Sequence, residues 1–401
     1  MGYRYVILGA GRQGTACAYD LAQLGEAEEI ILADARPQFS EKAVERLRSL
    51  LASGPKVAIR PCTASVQDHN ALISAFKGAH ALLSAVPYYL NPQVARAAIS
   101  AGVSMCDLGG DTPTVFEERR LHDQAIAAGV TIIPDCGLAP GMNNLLAVYG
   151  MEILDQTDSV EIRCGGLPQV PVPPLGYRLV FNLEGLLNNY FGKAYVLRDG
   201  QVAEIESFTE REEIVFPSPL GRCEAFVTAG ATSTCPWTFE KKLDHYDYKT
   251  VRYPGHYERI KLIAELGLLD TRPVRVRGVE IVPRDLFVKV VGDRISHRDI
   301  PDLVVLRVTC RGQKAGRPTE VILDLMEFYD EHTGFLAMER TTGYAAAIVL
   351  AMLARREIKD PGVLSLETAV SPQRFVEELR RRGMSVKETV RPMSESDKKG
   401  V

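Results

Sequence analysis

Three glycines and one carboxylate near the amino end carry the clearest chemistry in this 401-residue chain. Gly9, Gly11 and Gly14 stand at the spacing G-x-G-x-x-G, between the apolar run Tyr3–Leu8 and a stretch of small residues. A second apolar run ends in Asp34, 25 residues after the first glycine. Strand, tight turn, helix, strand and acid in that order form the fingerprint of a dinucleotide site. Gly9 permits the turn, Gly11 lets the backbone approach a pyrophosphate, and Gly14 lets helix and strand pack closely. Arg12 and Gln13 fill the turn, and the free N–H groups of the helix start face the phosphates. Asp34 stands where a carboxylate accepts a ribose 2′-OH and repels a 2′-phosphate. NAD is therefore expected ahead of NADP, although Arg36 nearby leaves room for a phosphate.

Further candidates stand where short apolar runs end. Ser84-Ala85-Val86-Pro87 closes one run, and Ala85 and Pro87 are expected beside the cofactor, because ligands of doubly wound sheets bind outside the carboxyl ends of strands. Asp107 closes the next run and Asp135 the one after, followed by Cys136-Gly137-Leu138-Ala139-Pro140-Gly141-Met142. Gly137 allows close backbone approach. An acid at such a place is either a helix cap or a catalyst. In the second half of the chain, Tyr177-Arg178 and Arg252-Tyr253-Pro254-Gly255-His256 stand out. Arg252 suits a carboxylate by its two-pronged donor geometry, with Tyr177 or Arg178 as helper, and His256 suits proton transfer. The plainer alternatives are a surface ion pair for the arginine and a packing role for the histidine.

The elements that must position these groups change texture along the chain. Up to about residue 135, short apolar strands alternate with helices, including 14–24, 40–51, 68–76, 92–101 and 114–128. That alternation implies a parallel, doubly wound α/β sheet of Rossmann type. Ser40 suits a helix N-cap and Pro92 a first helical turn. Beyond Gly141 and a helix from Met142, β-like runs, prolines and turns such as Asp199-Gly200 predict an α+β substrate and dimerisation domain. Helices return from Thr341 and are expected to pack back on the first domain. The expected division is 1–141, 142–338 and 339–401, with a frayed tail from Arg391.

Composition sets limits on partners. The chain has 46% hydrophobic and 24% charged residues, ordinary for a soluble globular protein, and its net charge of −4 gives no field that draws nucleic acid. The basic run Arg380-Arg381-Arg382 is expected on a solvated helix face. Eight scattered cysteines, with no C-x-x-C pair, and seven histidines, with no H-x-x-x-H spacing, favour buried thiols in a reducing cytoplasm over disulfides or a metal site. The sequence opens directly on a strand, so no secretory segment is expected, and the apolar stretch 344–354 is too short to span a bilayer.

Together, the glycine turn, "DCGLAPGM" from Asp135, "GGLP" from Gly165, "RYPGH" from Arg252 and "ERTTGY" from Glu339 resemble the saccharopine dehydrogenase (glutamate-forming)-like family over nearly the whole chain. Within it the likeness is to sequences that oxidise the ε-amine of L-lysine with NAD. The saccharopine reductases of the family carry acid-x-Gly-x-Asp-Pro-Gly in the loop. Asp135 matches the first acid, but Ala139 replaces the second. The resemblance implies a carboxylate-binding Arg252, a small amine or amino-acid substrate and a homodimer. His256 or Asp135 is the expected base. The alternative activity is imine reduction of the saccharopine or carboxynorspermidine type.

Overall fold

The computed structural model describes residues 2–179, 183–295 and 300–393. The first half alternates as expected: β1 (Tyr3–Leu8), α1 (Arg12–Leu24), β2 (Ala27–Asp34), α2 (Pro37–Leu50), β3 (Ala58–Thr63), α3 (His69–Phe76), β4 (Ala81–Ser84), α4 (Asn91–Ala101), β5 (Met105–Asp107), α5 (Thr112–Arg119), α6 (His122–Ala128), β6 (Thr131–Ile133) and α7 (Met142–Glu152). The strands are apolar because the sheet is covered on both faces. Its order, β3-β2-β1-β4-β5-β6, is that of a dinucleotide-binding fold.

The second half holds β7 (Gln156–Pro168), α8 (Leu183–Tyr190), β8 (Lys193–Arg198), β9 (Gln201–Glu206), β10 (Glu212–Val215), β11 (Arg222–Val227), α9 (Cys235–Thr238), β12 (His245–Arg252), α10 (His256–Glu265), β13 (Val274–Val276), β14 (Val279–Ile281), α11 (Pro283–Ile295), β15 (Asp302–Lys314) and β16 (Arg317–Phe328). The chain then ends through α12 (Ala337–Ala354), β17 (Gly362–Val363), α13 (Leu366–Ala369), α14 (Pro372–Arg381) and β18 (Val386–Pro392). A mixed sheet runs β10-β11-β12-β7-β15-β16-β18, with β8 and β9 attached at β12. One of its faces packs on the core; the other is paved with ion pairs such as Arg163–Asp247 at 2.6 Å and Arg311–Glu161 at 2.9 Å.

Helix α12 holds the two sheets together. It is buried on nearly every side, so it reads as apolar all round rather than striped. Gly343 lets it approach α1 so closely that a Cβ there would lie 2.9 Å from both Ala16 Cβ and Cys17 N. The Asp302 carboxylate accepts hydrogen bonds from the N–H groups of Ala337 (2.7 Å) and Met338 (3.0 Å), which caps the helix from the second sheet.

Several expectations change. The C-terminal segment is not helical throughout, since β17 extends the first sheet beside β6 and β18 extends the second beside β16. Arg391 and Pro392 close that last strand, and 394–401 lie outside the described residues. Helix α2 starts at Pro37, which needs no N–H partner, so Ser40 falls inside the first turn and its hydroxyl donates to the Pro37 carbonyl. The single helix expected over 114–128 is α5 and α6. Arg382 is buried, not solvated: its guanidinium forks between Asp20 on α1 (2.8 Å) and Glu378 (2.6 Å). Seven of the eight cysteines are buried free thiols and Cys62 is half-buried. Among the described residues no helix is long and apolar enough to cross a membrane.

Candidate active site

The glycine turn has the shape of a phosphate cradle. Gly9 has φ 106°, a left-handed value that glycine adopts without strain. A Cβ on Gly14 would overlap the Gly9 carbonyl oxygen, whereas a Cβ on Gly11 would meet nothing within 4 Å. Gly11 is also the N-cap of α1 and has no side chain to cap it, so the first-turn N–H groups stay open to a ligand. Asp34 lies against this turn: its Oδ2 accepts from Ala10 N (3.1 Å) and its Oδ1 from Arg36 N (2.9 Å). Arg12 pairs with Glu339 of α12 at 3.5 Å. Gln13 turns into the adjoining cavity, and its buried Oε1 has no hydrogen-bond partner among the described residues. These residues fit a dinucleotide.

A cavity of about 870 Å³ opens between the carboxyl ends of β4–β6 and the second sheet. Ala85, Pro87 and Gly109–Gly110 line it on the nucleotide side, with Leu138–Pro140 beside them; Gly165, Thr250 and Arg252 line it opposite, and α8 forms a wall. Volume and position suit a nicotinamide together with a small substrate.

Arg252 reaches this cavity by strand periodicity. Tyr248, Thr250 and Arg252 alternate along β12 and all face the cavity, while Asp247 and Lys249 join the ion pairs on the opposite face. Only 4% of Arg252 is exposed. Its Nε donates to Tyr190 Oη (2.7 Å) and its Nη1 to the Val251 carbonyl (2.8 Å). Nη2 is left with no partner among the described residues. The guanidinium carbon stands 4.7 Å from the centre of the Tyr177 ring.

His256 lies behind this arrangement and does not line the cavity. Its Nδ1 faces the Leu175 carbonyl (3.0 Å), which can only accept, so Nδ1 carries the proton. Nε2 then accepts from Tyr190 Oη (3.1 Å), which itself accepts from Arg252. Burial, followed by the charge of Arg252, pushes the imidazole down to about 3. A neutral histidine with both nitrogens engaged orients Arg252 through Tyr190. Its folded value is below the ordinary 6.5, so its contribution to stability is complete above pH 6.5 and is lost as pH falls toward 3. Asp107, raised to about 6 mainly by burial, acts in the opposite sense, its contribution weakening as pH rises through that value. His256→Asn is therefore expected to remove part of the wild-type loss of stability between pH 6.5 and 4, measured by denaturant titration of both proteins. Identical pH slopes would contradict the buried neutral state.

The acids at the strand ends are also buried away from the cavity. Asp135 has φ 64°, its N–H donates to Asp107 Oδ1 (3.1 Å), and its Oδ1 accepts from Gly110 N (3.2 Å). Burial and then the neighbouring Asp107 hold it well above the usual carboxylate range. Asp135 and Asp107 thus brace the Gly109–Gly110 loop from below, and neither lines the cavity. Gly137 sits behind Leu138–Pro140. Tyr177 is packed beneath Arg252 without lining the cavity. Arg178 is fully buried, off the cavity, and its guanidinium nitrogens make no hydrogen bonds among the described residues.

Two family models cover almost the whole chain: the saccharopine dehydrogenase NADP binding domain matches residues 5–133, and the saccharopine dehydrogenase C-terminal domain matches residues 137–384. The chain belongs to the saccharopine dehydrogenase family. Among its relatives is the mitochondrial alpha-aminoadipic semialdehyde synthase of Bos taurus, 28% identical over 231 residues, which cover 54% of this chain and 24% of the relative. The saccharopine dehydrogenase [NADP(+), L-glutamate-forming] of Saccharomyces cerevisiae is 24% identical over 250 residues, covering 58% of this chain and 54% of the relative. The chain thus spans between a quarter and about half of the length of these two relatives. The solved structure of apo saccharopine dehydrogenase (L-Glu forming) from Saccharomyces cerevisiae superposes with a TM-score of 0.78 at 19% identity, covering 97% of this chain and 100% of that one. The two share one fold.

Within the saccharopine dehydrogenase fold, sequence reasoning missed part of the cavity wall. Tyr248 and Thr250 were legible, since strand alternation carries them to the same face as Arg252. Tyr190, which fixes Arg252, carried no such signal, because it reads as one more apolar position of α8. Glu184, Leu186, Asn188 and Asn189 line the cavity from that helix, while Leu183 and Leu187 are buried on its other side.

Proposed function

We propose that this member of the family oxidises a primary amine whose chain ends in a carboxylate, and that the substrate is L-lysine, oxidised at its ε-amine. The observation that carries the reading is Arg252: a buried guanidinium with one open amino group, in a cavity between a dinucleotide fold and a second sheet. The relatives' names, built on saccharopine and alpha-aminoadipic semialdehyde, support a lysine-derived amine or imine. Ala139 lines the cavity where the family's saccharopine reductases carry an acid, which supports oxidative deamination over saccharopine formation.

Bound nicotinamide dinucleotide supplies the hydride acceptor, and with one water the amine leaves as ammonia and an aldehyde that cyclises with the α-amine. Arg252 and the strand-end loops bind and orient the substrate. Arg252 holds the substrate carboxylate through Nη2, with its plane set by the rings of Tyr177 and Tyr190. The loops at Ala85–Pro87 and Gly109–Gly110 close the opposite wall, and the substrate's reacting carbon lies between the two.

NAD is the proposed oxidant, on the Asp34 carboxylate beside the turn. The matching family model and the yeast relative are both named for NADP, so the choice rests on that one side chain. Asp34→Ala is expected to raise KM for NAD by roughly 10-fold and to narrow its advantage over NADP. Unaltered preference in a steady-state comparison removes Asp34 from that role.

One observation favours a second reading. A further cavity of about 250 Å³ adjoins the first at Tyr88, Gly110, Asn188 and Ala229, giving room for the second arm that joining an amine to an aldehyde demands. Two assays decide: ammonia release from lysine with NAD and NADP, and oxidation of NADH and NADPH with aldehyde plus amine. Turnover in the second alone overturns the deamination reading.

A further inference from the structure

Among the described residues, the cavity walls carry one carboxylate, Glu184, and one guanidinium, Arg252. Glu184 is exposed, lies in the first turn of α8 and makes no ion pair or hydrogen bond among the described residues. It stands on the nucleotide side, close enough to Tyr88 for its charge to raise that phenol, behind burial and Asp111. Tyr88 in turn adjoins Gly110, whose Cβ would come within 4.0 Å of the ring. The far end of the same helix is Tyr190, which holds Arg252.

Glu184 and the tyrosine that holds Arg252 stand near opposite ends of the same helix. Six residues separate Glu184 from Tyr190, about 9 Å along a helix axis at 1.5 Å per residue. An extended lysine has six bonds of about 1.5 Å between its carboxyl carbon and its ε-nitrogen, spanning roughly 7–8 Å. A substrate anchored at Arg252 by its carboxylate and extended along α8 brings its ω-end, not its α-ammonium, toward Glu184. We propose that Glu184 is the catalytic carboxylate facing the reacting amine. This assignment rests on the amine reading above and names the substrate class more closely: a chain of about six atoms with a carboxylate at one end and an amine at the other.

The chemistry suits a carboxylate at that place. The ε-ammonium first gives a proton to solvent water; when the C–H bond of the resulting neutral amine breaks and its electron pair departs as hydride to the nicotinamide ring, the carbon and nitrogen left behind become a cationic iminium. A fixed negative charge beside them stabilises that developing cation. Water then adds to the carbon, and the C–N bond breaks with release of ammonia.

The test compares lysine with 6-aminohexanoate, which lacks the α-ammonium. Glu184→Gln is expected to lower kcat by about 100-fold on both compounds, with KM changed by less than about 3-fold. Glu184→Asp is expected to recover part of the loss. The melting temperature and NADH affinity of Glu184→Gln, followed by fluorescence, are expected to match wild type. A loss confined to lysine places Glu184 at the α-ammonium and overturns the assignment, as does unchanged kcat on both. Wild-type protein that oxidises neither compound, with either nucleotide, overturns the amine reading itself and this assignment with it.

Discussion

Arg252→Ala raises KM for a carboxylated amine by roughly 100-fold, with a smaller change in kcat. The size follows from what is lost: a charge-assisted hydrogen bond in a buried site, worth about 1.5–3 kcal/mol. The kcat of the variant is largely kept, because the carboxylate binds Arg252 equally in ground and transition states, and uniform binding appears in KM. Folding is expected to survive, since Tyr190 Oη keeps His256 as a partner when Arg252 is gone. Arg252→Lys does not rescue it. An ammonium makes no planar fork: it cannot hold Tyr190 and the Val251 carbonyl while presenting a third donor to substrate, and it lies poorly on the Tyr177 ring. Two substrates sharpen the measurement. The variant's penalty is expected with lysine and to vanish with an alkyl amine that has no carboxylate. Equal penalties on both would mean that Arg252 shapes the cavity without touching the carboxylate, and unchanged KM on both removes it from the site.

The sequence made the nucleotide half of this account legible and only part of the other half, for physical reasons. The glycine turn is local: Gly9, Gly11, Gly14 and Asp34 meet within one βαβ unit, so spacing alone brings them together. Arg252 was also within reach, because a two-residue period assigns its face once the strand is recognised. Asp135 and His256 were expected at the reacting amine and stand buried off the cavity, because burial decides what a titratable group can do and burial is set by long-range packing. Asp135 is covered by the same loop it braces. His256 starts α10, and the Leu175 carbonyl that fixes its proton lies 81 positions earlier in the chain. Glu184 escaped notice for a related reason. A glutamate in a first helical turn is ordinary, and only the packing of α8 against the nucleotide loops turns it toward a cavity. The strands β17 and β18 were hidden by their shortness and polarity respectively, since each depends on an edge already built by the rest of a sheet.

Gly11→Ala and Gly14→Ala are expected to fail in different ways, and the difference tests the cradle on which every functional statement rests. At Gly14 the new methyl overlaps the Gly9 carbonyl oxygen and presses on Ile7 Cγ2 at 3.0 Å, so α1 must move off β1. Both contacts lie within the core of the first sheet, and neither the backbone oxygen nor the buried Ile7 can yield cheaply. The expected result is a melting temperature lowered by several degrees, or insoluble protein, together with loss of nucleotide binding. At Gly11 the added methyl meets no atom within 4 Å, and the residue's φ of −77° suits alanine. That variant is expected to fold and melt like wild type, or slightly better, because alanine restricts the unfolded chain more than glycine does. Its NADH affinity nevertheless falls by about 10-fold or more, because the space the methyl enters is where the pyrophosphate approaches the backbone. Fluorescence titration with NADH and a thermal melt of each protein give the four numbers needed. A Gly11→Ala protein that binds NADH as tightly as wild type would place the phosphates elsewhere, and Asp34, the strand-end loops and the cavity beyond them would lose their common reference point.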